Sequence, residues 1–176
     1  MTSNYPSAVW KHCPYCGSAE INWGNGTHCM LCATCGHNFF INAAAAVVAL
    51  IVDNQGRYLF TRRRNEPFKN TLDLPGGFVN LNETAEDAVK REVAEELNIE
   101  ITGLRYFGSF HNRYLYNGIV YFTLDIAFLC EVNNFTTLKA ADDICAYEFI
   151  KPNDIDVEKI GLESIKIIAG KIKTMI

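Results

Sequence analysis

Three glutamates, Glu92, Glu95 and Glu96, close a stretch from Leu74 to Ile99 that opens on the double glycine Gly76-Gly77. Positions three and four apart on a helix are neighbours, so Glu92 meets both Glu95 and Glu96 on one face. Ala85, Ala88, Val89, Val93 and Leu97 recur at helical spacing on the other side. Like charges so placed destabilise an isolated helix by roughly 0.2–0.5 kcal/mol per pair, and more where the face is partly buried. Something cationic should compensate. A glycine loop ahead of clustered carboxylates suits a divalent ion that grips a diphosphate, whereas an arbitrary acidic run is ordinarily a solvated face.

The neighbouring residues decide between those two readings. Gly77 is followed after five residues by Glu83, after seven more by Arg91-Glu92, then by the aliphatic Val93, by Glu95-Glu96 and by the aliphatic Ile99. This spacing resembles the signature of the Nudix hydrolases. One position departs, because Asn98 stands where that family usually has glycine. Asparagine is the usual substitute where a helix ends at positive φ, so the stop signal is kept. The resemblance implies an α+β fold, a Nudix α/β/α sandwich with a mixed sheet, the motif itself being loop, helix and loop. It also implies Mg²⁺ or Mn²⁺ held by Glu95 and Glu96 with the Gly76 carbonyl as a further oxygen donor. Glu92 is then either another ligand or the general base. Glu83 and Arg91 read as a structural ion pair holding the loop to the helix.

Around this motif the chain alternates strands and turns. Ala45–Val52 and Arg57–Arg62 read as strands flanking the turn Asp53-Asn54-Gln55-Gly56. Leu104–Tyr116 and Ile119–Val132 read as a long hairpin turned by Asn117-Gly118. Tyr147–Ile150 is a final strand, and Leu162–Met175 a closing amphipathic helix interrupted by Gly170. Arg62 and Arg63 are candidates for the substrate's phosphates, although adjacent strand residues face opposite ways. Asp142-Asp143 is either a further acidic contribution or an exposed turn. The hairpin aromatics, among them Tyr106, Phe107, Phe110 and Tyr121, could stack an adenine or nicotinamide ring but read mainly as core.

Cysteine spacing marks a second, smaller unit. Cys13-Pro-Tyr-Cys16-Gly and Cys32-Ala-Thr-Cys35-Gly are two C-x-x-C knuckles separated by fifteen residues, the pattern of a zinc ribbon with four thiolate ligands. A closed thiolate tetrahedron has no open position, so this Zn²⁺ is structural. Disulfides and a redox dithiol are the alternatives; the first lacks a secretory signal and the second a βαβ setting. Cys29, His12, His28 and His37 are read as spectators. The expected organisation is a ribbon over residues 10–40 and the hydrolase domain over 41–176, with residues up to Trp10 loose.

The 176 residues, 49% hydrophobic with net charge −4, suffice for one ordinary core and a small appendage. The apolar run Ala43–Val52 is too short to span a bilayer and lies too deep for a signal peptide, which points to a cytoplasmic protein without a membrane partner. No Lys or Arg lies between Cys13 and Cys35, which argues against nucleic acid as the ribbon's partner; packing on the catalytic domain or a homodimer is expected instead. A ribbon before this motif resembles the NADH pyrophosphatases, and Pro67-Phe68 resembles ADP-ribose-type enzymes. The Ser-Gln-Pro-Trp motif of the NADH group is missing from Gly108–Tyr114. The expected reaction is metal-dependent hydrolysis of the pyrophosphate in a nucleoside diphosphate linked to another group, with NADH, ADP-ribose or FAD as substrate. A catalytically silent nucleotide sensor and an RNA-end pyrophosphohydrolase are the alternatives.

Overall fold

A computed structural model describes residues 4–24 and 28–175. The chain divides into two compact units, Met1–Ala43 with Tyr114–Phe122, and Ala44–Arg113 with Thr123–Ile176. The hairpin tip thus groups with the N-terminal segment.

In the first unit, helix α1 (Pro6–Val9) begins on proline, which suits a first helical turn because its missing N–H has no partner there anyway. Strands β1 (Ile21–Trp23), β2 (Cys29–Cys32) and β3 (Asn38–Phe40) form an antiparallel sheet in that order. The expectation of a loose start is corrected from Asn4 onward. Tyr5 meets Phe122 edge-on at 5.7 Å between centroids, and Trp10 packs 5.5 Å from Phe39, so aromatic burial anchors the segment. Met1–Ser3 lie outside the described residues.

The second unit contains β4 (Ala44–Ile51), β5 (Tyr58–Arg63), β6 (Leu72–Asp73), α2 (Ala85–Leu97), β7 (Ile101–Tyr116), β8 (Ile119–Val132), β9 (Ile144–Ile150) and α3 (Glu163–Thr174), the β7–β8 tip excepted. One sheet is mixed, in the order β4-β8-β7, with β4 parallel to β8; the other runs β6-β5-β9. The two-residue β6 has too little length to show a period in the sequence.

β4 explains the layering. Val47, Ala49 and Ile51 pack with Ala88, Val89, Val93 and Leu97 of α2, while Val48 and Leu50 pack with Ile165, Ile168, Ala169 and Ile172 of α3. Alternate side chains therefore feed helices on opposite faces, and the strand reads as an unbroken apolar run because both faces are buried. The result is the expected α/β/α sandwich. α3 continues through Gly170, where an added Cβ would meet nothing within 4 Å. Among the described residues no helix is long and apolar enough to cross a membrane.

Candidate active site

Helix α2 is fixed at both ends. The Thr84 hydroxyl accepts from the Asp87 N–H at 3.1 Å, and Asn98 closes the helix in the left-handed region at φ 55°, ψ 38°. The Asn98 side chain donates to the Thr137 carbonyl, and the Thr137 hydroxyl returns a bond to the Asn98 carbonyl.

The loop before α2 runs antiparallel to β4. Val47 and Ala49 donate to the Gly77 and Pro75 carbonyls, each at 2.8 Å, and no backbone N–H among the described residues binds the Gly76 carbonyl. At Gly76, φ is +151° and an added Cβ would lie 2.0 Å from the Val47 oxygen, so only glycine fits. At Gly77 an added Cβ would lie 2.4 Å from Glu92 Oε1, a measure of how closely loop and helix approach.

Arg91 is the cation that the acidic face calls for. Its Nε and Nη2 grip both oxygens of Glu83 at 2.8 and 2.9 Å, its Nη1 reaches Glu92 at 2.8 Å and Glu95 at 3.0 Å, and its Nη2 also donates to the Phe78 carbonyl. Hydrogen bonds from Arg91 hold the Glu83 carboxyl down to about 2.

Glu96 is buried, and Gly76 N–H donates to its Oε2 at 3.1 Å. Burial pushes its carboxyl up to about 9 against that hydrogen bond, and the charges of Asp73, Glu92 and Asp143 add to the rise. Glu92 is raised as well, by burial first and by Glu95 and Asp142, with Arg91 opposing. The Asp142-Asp143 turn therefore lies within electrostatic reach of the helix glutamates. Asp142 sits at φ +48°, and Asp143 accepts from the Asn65 amide at 2.9 Å. Asp73 was not singled out by the sequence, since nothing in its spacing separates it from a surface acid. It is buried beside Glu96 and ion-paired with Arg63 at 2.6 Å. The neighbouring arginines diverge: Arg63 also donates to the Pro67 carbonyl, and Arg62 is committed to Glu148 of β9.

The carboxylates of Glu92, Glu95 and Glu96 do not converge on one point. Arg91 holds the first two and Gly76 N–H the third. The local balance nevertheless fits a hard divalent cation, because every donor is oxygen and the buried acids outnumber the cations beside them.

Among the described residues, the one set of three or more His, Cys, Asp or Glu whose ligand atoms lie within 4.8 Å of one another is Cys13, Cys16, Cys32 and Cys35. The two knuckles are built alike, with Gly17 and Gly36 at φ +75° and +73° donating to the Cys13 and Cys32 carbonyls. Sulfurs lie 3.8 Å apart for Cys13 and Cys35, and 3.6 Å for Cys16 and Cys32. A tetrahedron with metal–sulfur bonds of ~2.3 Å has edges of about 3.8 Å, whereas a disulfide needs ~2.05 Å. The thiols are free and fit one tetrahedral ion. The Cys35 N–H draws Cys32 down to about 6 against burial, whereas Cys35, although favoured by the His37 N–H, is pushed up to about 12 by burial and the other sulfurs. Cys29 and the histidines stand outside the set, His37 stacking on Tyr15 at 5.4 Å.

Helices on both faces of a mixed sheet, with an acidic helix behind a double-glycine loop, define a hydrolase of the Nudix class. The chain belongs to that family, the NUDIX domain matching residues 42–170. It is 32% identical to an ADP-ribose pyrophosphatase of Methanocaldococcus jannaschii over 134 residues, 75% of each chain. It is 35% identical to the NAD-capped RNA hydrolase NudC of Shigella flexneri over 101 residues, which is 56% of this chain and 37% of that one. The match thus spans little more than a third of that relative. Among solved structures, a MutT NUDIX hydrolase from Burkholderia pseudomallei has a TM-score of 0.64 at 22% identity, covering 74% of this chain and 98% of that one. The NUDIX domain of Shewanella oneidensis NrtR, crystallised with ADP ribose, has a TM-score of 0.60 at 17% identity over 77% and 89%. Both likenesses concern the fold.

Proposed function

We propose that the protein is a metal-dependent Nudix pyrophosphohydrolase that splits a nucleoside diphosphate linked to a second group, of the ADP-ribose, NADH or FAD type, into two phosphomonoesters. The observation that carries this is Glu96, buried against the Gly76 amide amid Asp73, Glu92 and Asp143. That charge excess is relieved by a divalent cation.

Glu92, Glu95 and Glu96 would hold Mg²⁺ or Mn²⁺, with the Gly76 carbonyl as a further donor. An ion bound there supplies charge neutralisation of the diphosphate and acidifies the attacking water. Glu92 is assigned as ligand or as the base that takes the water proton while one P–O–P bond breaks and its bridging oxygen leaves on the other phosphate. Glu83 and Arg91 brace the loop. Both arginines are ion-paired, Arg62 with Glu148 and Arg63 with Asp73; Arg63 supports a phosphate contact better by position, because the charge of its partner reaches Glu96.

Residues 10–40 are assigned as a zinc ribbon, in which Cys13, Cys16, Cys32 and Cys35 would hold structural Zn²⁺, and residues 41–176 as the hydrolase domain. Seven unpaired cysteines support a reducing, cytoplasmic compartment.

The test is product identity from a panel of ADP-ribose, NADH, FAD and NAD-capped RNA with Mg²⁺ or Mn²⁺. AMP released from at least one dinucleotide supports the reading. The likeness to NAD-capped RNA hydrolases favours a second reading, in which capped RNA outcompetes the free dinucleotides. Tight binding of a panel member without turnover by folded protein replaces both readings with a sensor.

A further inference from the structure

The face of the β4-β8-β7 sheet that looks toward α3 carries buried polar groups away from the acidic helix, among them Asp125, whose charge reaches Asp73. Ala46 of β4 is paired on one side with Asp125 of β8 and bridged on the other to Phe78, the residue after the double glycine. Residues paired across strands share a face, so Phe78, Ala46 and Asp125 form a row leading away from the loop. The row is open at Phe78, which is 49% exposed, and closed at Asp125, which is 4% exposed.

Burial alternates over Ser109–Arg113 of β7 and turns Phe110 and Asn112 inward. Phe110 packs with Ala127 and Val48 in the cluster under α3, so Asn112 shares the face of Thr123 and Asp125. Asp125 accepts one hydroxyl on each oxygen, from Thr123 at 2.7 Å and from Ser164 at the start of α3. Asn112 is 3% exposed, and its Oδ1 has no partner among the described residues. A buried amide oxygen left unpaired costs stability and calls for a compensating partner.

An asparagine amide offers an acceptor and a donor side by side, the complement of adenine's 6-amino group and N7. From Phe78 to Asp125 is two strand spacings, and to β7, which carries Asn112, three, about 14 Å, the span of a phosphate, a ribose and a base laid along the row from the diphosphate loop. The half-exposed Phe78 ring supplies a stacking wall, and the free lone pairs of Asp125 accept amino N–H groups. We propose that Asn112, backed by Asp125, is a specificity-determining residue that selects an adenine base over hypoxanthine in the nucleoside diphosphate. The proposal rests on the function inferred above and adds which residue reads the adenine that the candidate substrates share.

Titrating the full chain with AMP and with IMP tests it without turnover, and kcat/KM for ADP-ribose against its hypoxanthine counterpart tests it with turnover. The wild-type protein should prefer the adenine compound by about tenfold in both, the kinetic preference lying in KM. Asn112→Leu should bring both ratios within about threefold of unity while leaving Tm unchanged or higher; a merely structural asparagine would lose Tm and keep the ratios. Equal affinity for AMP and IMP in the wild-type protein overturns the proposal without recourse to any variant, as does discrimination that survives in Asn112→Leu. Discrimination between the nucleotides with no hydrolysis of ADP-ribose or its hypoxanthine counterpart refutes the hydrolase reading alone. Hydrolysis without discrimination refutes this proposal alone.

Discussion

Arg91 touches the carboxylates of Glu83, Glu92 and Glu95, and no lysine could reproduce its two-pronged grip on Glu83. Arg91→Lys is therefore expected to cost about 1–3 kcal/mol in chemical denaturation. Glu83 and Glu96 give opposite pH dependences. The Glu83 carboxyl lies near 2 in the fold against an ordinary 4.5, so its contribution is complete above pH 4.5 and is lost as pH falls toward 2. Denaturation midpoints below pH 4.5 should drop less steeply in Arg91→Lys. Glu96 is raised from 4.5 to about 9, so in metal-free protein its protonated form favours the fold fully below pH 4.5, and that benefit disappears as pH rises toward 9. Glu96→Gln should abolish turnover, keep the circular dichroism spectrum and flatten the stability profile across that window.

Helix α2 and the loop before it test how far local chemistry sets an element. Asn98→Ala is expected to cost about 1–2 kcal/mol, because alanine resists the left-handed cap, and Asn98→Gly should do less harm. Gly76→Ala should cost about 2 kcal/mol or more, since its Cβ would strike the Val47 carbonyl, which belongs to backbone and cannot swing away. Thermal melts of the three variants check both. Elements were legible in the sequence where a period or a special backbone residue marks them: α2 through its apolar stripe and Asn98, β4 through its unbroken apolar run, the β7–β8 turn through Asn117-Gly118 at φ +47° and +80°. β7 begins at Ile101, earlier than its pattern shows, and β6 is too short to have one. Asp73 and Asn112 escaped for a different reason. Their surroundings come from strands distant in the chain, and burial of a polar group leaves no local trace.

At the scale of the whole molecule, one unit carries a cluster of four soft sulfurs and the other the buried acids to which the proposed function assigns a hard cation. Metal analysis should find about one zinc per chain, and Cys32→Ser should lower both zinc and the stability of that unit. Zinc uptake by the apo protein should release protons, more of them below pH 6 than above it, because Cys32, held at about 6, carries its proton only there, whereas Cys35, pushed up to about 12, gives one up throughout. A chelator selective for zinc should spare the magnesium-dependent chemistry only if the second unit folds unaided, which activity after chelation decides. The aromatic packing of the N-terminal unit makes that experiment simple. Trp10 and Trp23, 6.4 Å apart, are the chain's two tryptophans and both belong to the cysteine-bearing unit, so indole emission watches that unit alone while far-ultraviolet circular dichroism follows the helices of the other, and one sample can report two separate meltings.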